Sequence, residues 1–164
     1  MLNVVLIQSL GLIGWLFLLT SYWHKDLNKI LIFHLISGIF YILHYFFIGA
    51  IEGIFIVILE VIRDYSYYKT SLDKGIFFGT IPIYLIFTFF TYDGLISLFP
   101  TIASLIDGYT LAINRNVAII GAILSEILWL IYDAIVGSYI GIITGLIMII
   151  SNIIVIITSK REKS

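Results

Sequence analysis

Long apolar stretches follow one another along this chain of 164 residues, and short polar segments separate them. A helix that spans a bilayer needs about 20 mostly apolar residues. The pattern therefore predicts an all-α integral membrane protein with seven transmembrane helices, and it leaves no stretch long enough for a soluble domain. The predicted helices cover residues 4–23, 30–48, 51–68, 75–91, 95–112, 117–132 and 135–158.

The fifth apolar segment is the least regular of the seven. Pro100 and Gly108 lie within it, and Asp107 places a charge near its end. A proline in a helix interior removes a backbone donor and kinks the helix. We therefore expect this segment to be interrupted at Pro100.

The basic residues predict how the chain is oriented in the membrane. With the N-terminus outside and the C-terminus in the cytoplasm, every Lys and Arg falls in or beside a cytoplasmic loop or tail, and the outer loops carry only acids. Basic loops are retained on the cytoplasmic side during insertion. One helix more or fewer would scatter the charges over both sides, so the pattern also supports seven helices. The basic residues are Lys25, Lys29, Arg63, Lys69, Lys74, Arg115, Lys160, Arg161 and Lys163, and the outer acids are Glu52, Asp93 and Asp133.

An internal repeat emerges when the chain is shifted against itself by 88 residues. The shift pairs Ser37 with Ser125 and Gly49 with Gly137, and it does so without a gap. It predicts two three-helix repeats, at 4–68 and 95–158, within one membrane domain of residues 1–164. An alternative is that the glycine turn recurs only because two helical hairpins both need one.

The fourth helix, at 75–91, then links the two repeats in a 3+1+3 plan. An odd number of linking helices makes the repeats parallel, related by an axis along the membrane normal. Transporters with this arrangement hold their substrate near midplane, at the interface between the repeats.

Charged residues inside the third and sixth helices need an explanation, because a charge at a helix centre costs about 2.5–3.5 kcal/mol on insertion scales. Glu60 and Asp64 are four residues apart and share one face. One interpretation is structural, in which Arg63 forms an ion pair with Glu60 and orients the helix. The other is functional, in which Glu60 or Glu126 forms part of an acidic, titratable patch in a substrate cavity.

Two polar and aromatic stripes lie on the second and sixth helices, which the repeat makes equivalent. Ser37, Tyr41 and His44 form the first stripe, and Glu126 and Trp129 begin the second. Such stripes predict one cavity lined from both halves, in which aromatic rings stack on a solute and carboxyl groups orient it. The alternative is that Tyr41 and Trp129 belong to the aromatic belts at the membrane surfaces.

Composition narrows the function further. The chain is 61% hydrophobic and 12% charged, with a mean hydropathy of +1.12, whereas soluble domains carry about 25% charged residues. The absence of cysteine excludes disulfides, thiolate metal sites and cysteine nucleophiles. The sequence contains no recognisable catalytic, phosphate-binding or metal-binding motif. We therefore expect no enzyme activity, no cofactor, no metal and no nucleic-acid partner, while the oligomeric state stays open.

Five short motifs lie at 21–26, 44–50, 61–64, 129–132 and 137–139. Together they resemble the YgjV family of bacterial inner-membrane proteins. The 3+1+3 plan is similar to that of the SWEET sugar transporters and the PnuC nicotinamide riboside transporters. The likeness to SWEET proteins implies that Tyr41 with Trp129, and Asp64 with Asn152, hold the positions that line the sugar site. The proline hinges of SWEET helices are mostly missing.

These observations predict a multi-pass protein of the bacterial cytoplasmic membrane. Its partners would be the lipid bilayer and a small polar solute, neutral or cationic, which it transports or whose passage it facilitates. The alternative is a membrane sensor or accessory subunit without transport activity. The predicted substrate-binding residues are Ser37, Tyr41, His44, Glu60, Asp64, Glu126, Trp129 and Asn152.

Overall fold

The computed structural model describes residues 3–70 and 73–161, and every regular element in these ranges is helical. Within them lie seven α-helices, as the apolar pattern predicts, and one 3₁₀ turn at Leu95–Ser97. The helices are α1 (Val4–Ser21), α2 (Leu27–Ile48), α3 (Ile51–Thr70), α4 (Lys74–Phe90), α5 (Leu98–Leu111), α6 (Arg115–Val136) and α7 (Tyr139–Arg161).

Four of these helices, α1, α2, α6 and α7, are long and apolar enough to cross a membrane. α4 and α5 are apolar but shorter. α3 has the length, and it is less apolar because it carries several charged residues. The predicted polar tail after residue 158 begins as the last turns of α7, while Lys163 lies outside the described residues.

Side-chain caps and glycines set where the helices begin and end. Asp26 accepts a hydrogen bond from the backbone N–H of residue 28 at the start of α2, and Asn114 accepts one from residue 117 at the start of α6. Gly49 and Gly137 end these two helices with φ of 80° and 77°. This left-handed conformation suits glycine, which has no Cβ to clash.

Two predicted boundaries are wrong. The sixth helix continues to Val136 and the seventh begins at Tyr139, because Gly137 rather than the polar residues before it ends α6. Pro100 does not interrupt a helix, since α5 begins at Leu98 and the proline lies in its first turn. Backbone N–H groups in a first turn have no partner within the helix, so the missing donor is tolerated there.

Consecutive helices are joined by short connections and pack against each other. α1, α2 and α3 pack in order, and so do α5, α6 and α7. α4 lies against α3 and α5, and the two groups of three also meet through the pairs α1–α7 and α3–α5. We call α1–α3 the first unit and α5–α7 the second unit.

The bundle has two chemically different ends. The connections after α1, α3 and α5 lie at one end, which we call the basic end because Lys and Arg residues flank them. The connections after α2, α4 and α6 lie at the other end. Each of these three contains a glycine with positive φ, so we call it the glycine end. The glycines are Gly49, Gly94 and Gly137.

The bundle has an apolar exterior, and polar side chains are buried inside it beside an apolar core. Large apolar side chains such as Phe89 and Phe90 are 78% and 79% exposed, and others like them cover the outside of every helix. Arg63, Asp64 and Asn152 are buried inside. An apolar exterior of this extent suits a lipid solvent, and the interior must then satisfy its own polar groups.

Candidate functional site

A central cavity of about 80 Å³ lies between the first and second units, midway between the two ends of the bundle. Both units contribute to its wall, and α4 does not. The lining combines acidic, aromatic and small side chains. It includes Leu18, Tyr22, His34, Ser37, Tyr41, Tyr45, Glu60, Arg63, Asp64, Asp107, Ser125, Glu126, Trp129, Asp133, Gly141 and Thr144.

Six of the eight predicted binding residues line this cavity, and they come from α2, α3 and α6. Tyr41 and Trp129 are thus wall residues rather than members of a surface belt. Whether any of the six contacts a solute stays a prediction. They are Ser37, Tyr41, Glu60, Asp64, Glu126 and Trp129.

His44 and Asn152, the other two predicted residues, lie outside the lining of this cavity. The ring of His44 bonds at 2.9 Å to the carbonyl of Ile7 and at 2.9 Å to Oγ of Ser138, so it joins α1 to the turn before α7. Asn152 is fully buried outside the cavity lining, and neither its Oδ1 nor its Nδ2 has a hydrogen-bond partner among the described residues.

Arg63 is 1% exposed, and its ion pairs differ from the predicted one. Nε donates to Asp64 Oδ1 at 2.8 Å, and Nη2 donates to Asp107 Oδ2 at 3.0 Å. Nη1 donates to the carbonyl of Ser104 at 2.8 Å. Glu60 instead accepts from the hydroxyl of Ser104 at 2.5 Å. Among the described residues, Arg63 therefore forms its ion pairs with Asp64 and Asp107 rather than with Glu60, because the guanidinium reaches across to α5.

Further residues extend this arrangement towards the basic end. His34 Nδ1 lies 3.2 Å from Asp64 Oδ2, and the hydroxyl of Tyr22 donates to Asp107 Oδ1 at 3.3 Å. Together with Arg63 these four residues form what we call the Arg63 cluster. It joins the α1–α2 connection, α2, α3 and α5, and its side chains form the wall of the cavity on the side of the basic end.

A second polar group lies on the side of the glycine end, where Tyr45 and Asp133 form part of the cavity wall. Tyr45 donates to Asp133 Oδ1 at 2.9 Å, which joins α2 to α6. Tyr132 donates to Glu52 Oε2 at 3.3 Å and accepts from the backbone N–H of Gly53 at 3.0 Å. We call Tyr45, Tyr132, Asp133 and Glu52 the tyrosine cluster.

Aromatic rings form a stack along one wall of the cavity. The centroids of Tyr41 and Tyr45 are 6.1 Å apart with planes at 22°, and those of Tyr45 and Trp129 are 5.8 Å apart with planes at 18°. Near-parallel rings at this spacing favour one another and hold a rigid flat surface. The wall therefore offers aromatic faces whose geometry is fixed before any solute enters.

Glu126 differs from the other acidic residues of the cavity. No side chain or backbone group of residues 3–70 and 73–161 donates a hydrogen bond to it. It packs against α7 at Gly145, where an added Cβ would lie 3.0 Å from Glu126 Oε1. Ser37 Oγ and His34 Nε2 are also without partners although both are buried. The polar groups of the wall are thus incompletely satisfied by the protein itself.

The lining carries more acidic than basic side chains. It contains five acidic residues, while Arg63 is its one Lys or Arg residue. Among the described residues, no group of three or more His, Asp or Glu side chains has an arrangement suited to a metal ion. The cavity can therefore offer aromatic faces, hydroxyl groups and carboxyl groups to an organic solute.

Sequence reasoning singled out neither Tyr22, Tyr45 nor Ser104. Tyr45 carries a usable signal, because the shift of 88 residues pairs it with Asp133, its hydrogen-bond partner. Tyr22 and Ser104 have no comparable signal. Their roles depend on how α5 is placed against α3 and the α1–α2 connection.

Comparison with protein-family models matches residues 5–163 to Imp-YgjV, described as a bacterial inner membrane protein. The comparisons with curated proteins and with solved structures found no match. The family match covers almost the whole chain, including all seven helices and every residue of the cavity wall. The chain therefore belongs to the Imp-YgjV family of bacterial inner membrane proteins.

Proposed function

We propose that this inner membrane protein transports a small polar solute, or facilitates its passage, through the central cavity. The observation that carries the proposal is the position of that cavity, between the two units, with the Arg63 cluster towards one end and the tyrosine cluster towards the other. No catalytic step is part of the proposal. The bilayer and the solute are its only partners.

Helix boundaries support a duplicated 3+1+3 architecture. α2 and α6 each contain 22 residues and begin 88 residues apart, and α3 and α7 also begin 88 residues apart. The capping positions match as well, since Asp26 corresponds to Asn114 and Gly49 to Gly137. A shared need for a glycine turn would account for the last pair alone, whereas duplication accounts for all of them.

Contacts between the units support a two-fold relation. α1 packs on α7, and the corresponding pair α5 and α3 also packs together. Tyr45 and Asp133 are 88 residues apart and bond to each other, as two equivalent positions beside a common axis would. An axis along the membrane normal is the arrangement of transporters built from parallel repeats.

For orientation, we propose that the basic end faces the cytoplasm. Four lysines and Arg115 flank its connections, and such residues are retained on the cytoplasmic side. Arg63 does not help to predict the orientation, because it is buried in the Arg63 cluster rather than placed in a loop. The N-terminus is then outside and the end of α7 inside. The lysines are Lys25, Lys29, Lys69 and Lys74.

The two clusters suggest how passage would occur. The Arg63 cluster separates the cavity from the cytoplasmic end, and the tyrosine cluster separates it from the outer end. Rocking of one unit against the other would open one cluster at a time, which is alternating access around a fixed site. The present arrangement, in which both clusters are intact, would be one state of this cycle.

Uptake into proteoliposomes tests the proposal. Labelled sugars, nucleosides, vitamins and amines are supplied to vesicles that contain the purified protein. Glu126→Gln and Trp129→Ala should lower uptake of the active solute without lowering expression. Asp93→Asn, in an exposed loop, and Phe89→Ala, on the lipid-facing surface, are matched controls that should leave it unchanged. Normal uptake in both cavity variants would exclude this cavity as the route.

Failure of the whole panel would favour a sensor or accessory subunit. That reading predicts a partner protein recovered with this chain at a fixed ratio from solubilised membranes. If the Trp129→Ala variant recovers the same amount of this partner as the unmodified protein, the partner binds independently of the cavity.

A further inference from the structure

We propose that the solute is a compact organic cation bearing N–H donors, such as a guanidinium or primary ammonium group, and that Glu126 is its main charge partner. The inference rests on the proposed function in taking the central cavity as the solute site. It narrows the substrate class from polar solutes in general to one kind of cation.

The charge balance of the cavity favours a cation. Asp64 and Asp107 both pair with Arg63, so the guanidinium has no charge left to attract an anionic solute. Of the remaining acids, Glu60 accepts a hydrogen bond from a serine and Asp133 accepts one from a tyrosine. Only Glu126 has no donor, so it is the carboxyl group whose partner the protein does not supply.

Two further atoms on the wall indicate a hydrogen-bonding ligand independently of charge. Ser37 is 2% exposed and His34 is 8% exposed, yet Ser37 Oγ and His34 Nε2 have no partner. Buried polar atoms in proteins are nearly always hydrogen-bonded. Ser37 Oγ can accept from an N–H group, as Glu126 can. A cation with several N–H donors could therefore satisfy both, whereas a quaternary ammonium could satisfy neither.

The aromatic stack adds a second attraction for the same class. Tyr41, Tyr45 and Trp129 present ring faces beside the acidic groups, and cations are attracted to such faces when water is displaced. A planar guanidinium can also stack flat on an aromatic ring. The carboxyl group of Glu126, the hydroxyl group of Ser37 and the aromatic ring faces thus each offer this cation a favourable interaction.

Cavity size limits the cation. About 80 Å³ is roughly half of the ~150 Å³ of an engineered cavity that holds benzene. A charged group with one or two small substituents matches this space, whereas a nucleoside or disaccharide is too large for the cavity in this arrangement.

Calorimetric binding to the purified protein in detergent tests the inference at constant ionic strength. The probes are methylguanidinium, its neutral isostere methylurea, and tetramethylammonium, which has charge but no N–H. We expect methylguanidinium to bind at least about tenfold more tightly than either of the others. Equal binding of methylurea would overturn the role of charge, and equal binding of tetramethylammonium would overturn the role of N–H donors.

Substitutions in the cavity wall test whether the cation binds beside Glu126. Glu126→Gln should weaken methylguanidinium binding by at least about tenfold, and Ser37→Ala should weaken it less. Asp93→Asn removes the same charge outside the cavity and should leave binding unchanged. Equal losses in Glu126→Gln and Asp93→Asn, with both proteins folded by circular dichroism, would contradict a specific site at Glu126.

Uptake measurements separate this inference from the proposed function. Binding of methylguanidinium without its uptake into proteoliposomes would support the cation site and refute transport of that cation. Uptake of a neutral or anionic solute, in a protein that binds none of the three probes, would support transport and overturn the cation inference.

Discussion

Replacing Arg63 by methionine should strongly destabilise the protein. The substitution keeps much of the stem and removes the guanidinium, which donates at 2.8–3.0 Å to Asp64, Asp107 and the carbonyl of Ser104. Two buried carboxylates then lose their cation. Removing one partner of a buried ion pair costs about 3–5 kcal/mol, mainly because the opposite charge is left uncompensated.

Unfolding by sodium dodecyl sulfate, titrated into dodecyl maltoside micelles and followed by circular dichroism, measures the free energy. Arg115→Met is the matched control, since within residues 3–70 and 73–161 Arg115 donates to backbone carbonyls, those of Tyr22 and His24, and to no carboxylate. Removal of its guanidinium leaves no carboxylate without a cation in that contact. We therefore expect a smaller loss in the free energy of unfolding, about 1.5–3 kcal/mol.

A rescue variant isolates the electrostatic origin of the effect. Asp64→Asn and Asp107→Asn, added to Arg63→Met, remove the uncompensated charges and should restore most of the lost stability, because a neutral replacement of a buried ion cluster is often tolerated. A loss below about 1 kcal/mol in the single variant would refute the reasoning. So would a combined variant less stable than the single one.

Two further predictions concern packing and the tyrosine cluster. Gly121→Ala should lower stability measurably, because its Cβ would overlap the side chain of Thr110, whereas Gly79→Ala meets nothing within 4 Å and should be neutral or gain up to about 1 kcal/mol. A higher midpoint of thermal unfolding for Gly121→Ala than for Gly79→Ala would contradict the close contact between α5 and α6. Tyr45→Phe should cost about 1–3 kcal/mol in the same detergent titration, because buried Asp133 loses its donor. An unchanged value would show that this bond adds nothing to stability.

Helix number and approximate position follow from the sequence because apolar runs must be about as long as a bilayer is thick. The end of α6 was harder to place. Ile135 and Val136 are as apolar as the helix after them, and only the left-handed conformation of Gly137 separates the two. The equivalence of Gly137 with Gly49 predicts this turn better than hydropathy does.

The cavity residues of α2 show what periodicity can and cannot decide. His34, Ser37, Tyr41 and Tyr45 line the cavity, while His44 lies on the adjacent side against α1 and the turn before α7. The spacing of Ser37, Tyr41 and His44 places them on one stripe, but the rotation of the helix against its neighbours decides which edge of that stripe faces the cavity.

The partner of Arg63 was beyond sequence reasoning for a different reason. Spacing along α3 favours Glu60, which is one turn away. The long side chain instead reaches Asp107 on α5, 44 residues further along the chain. Which carboxylate pairs with Arg63 depends on how α3 and α5 pack against each other, and the residue spacing within one helix cannot predict that packing.

The bond between Tyr45 and Asp133 also bears on the history of the chain. At a two-fold axis between identical chains, a residue that meets its own counterpart faces an identical side chain. Two aspartates there would repel each other, and a phenol could not meet a carboxylate. Under the duplicated architecture proposed above, this bond could arise only after the two halves had diverged in sequence, as two halves of one polypeptide can. An assembly of separate three-helix chains would need a different contact at this point.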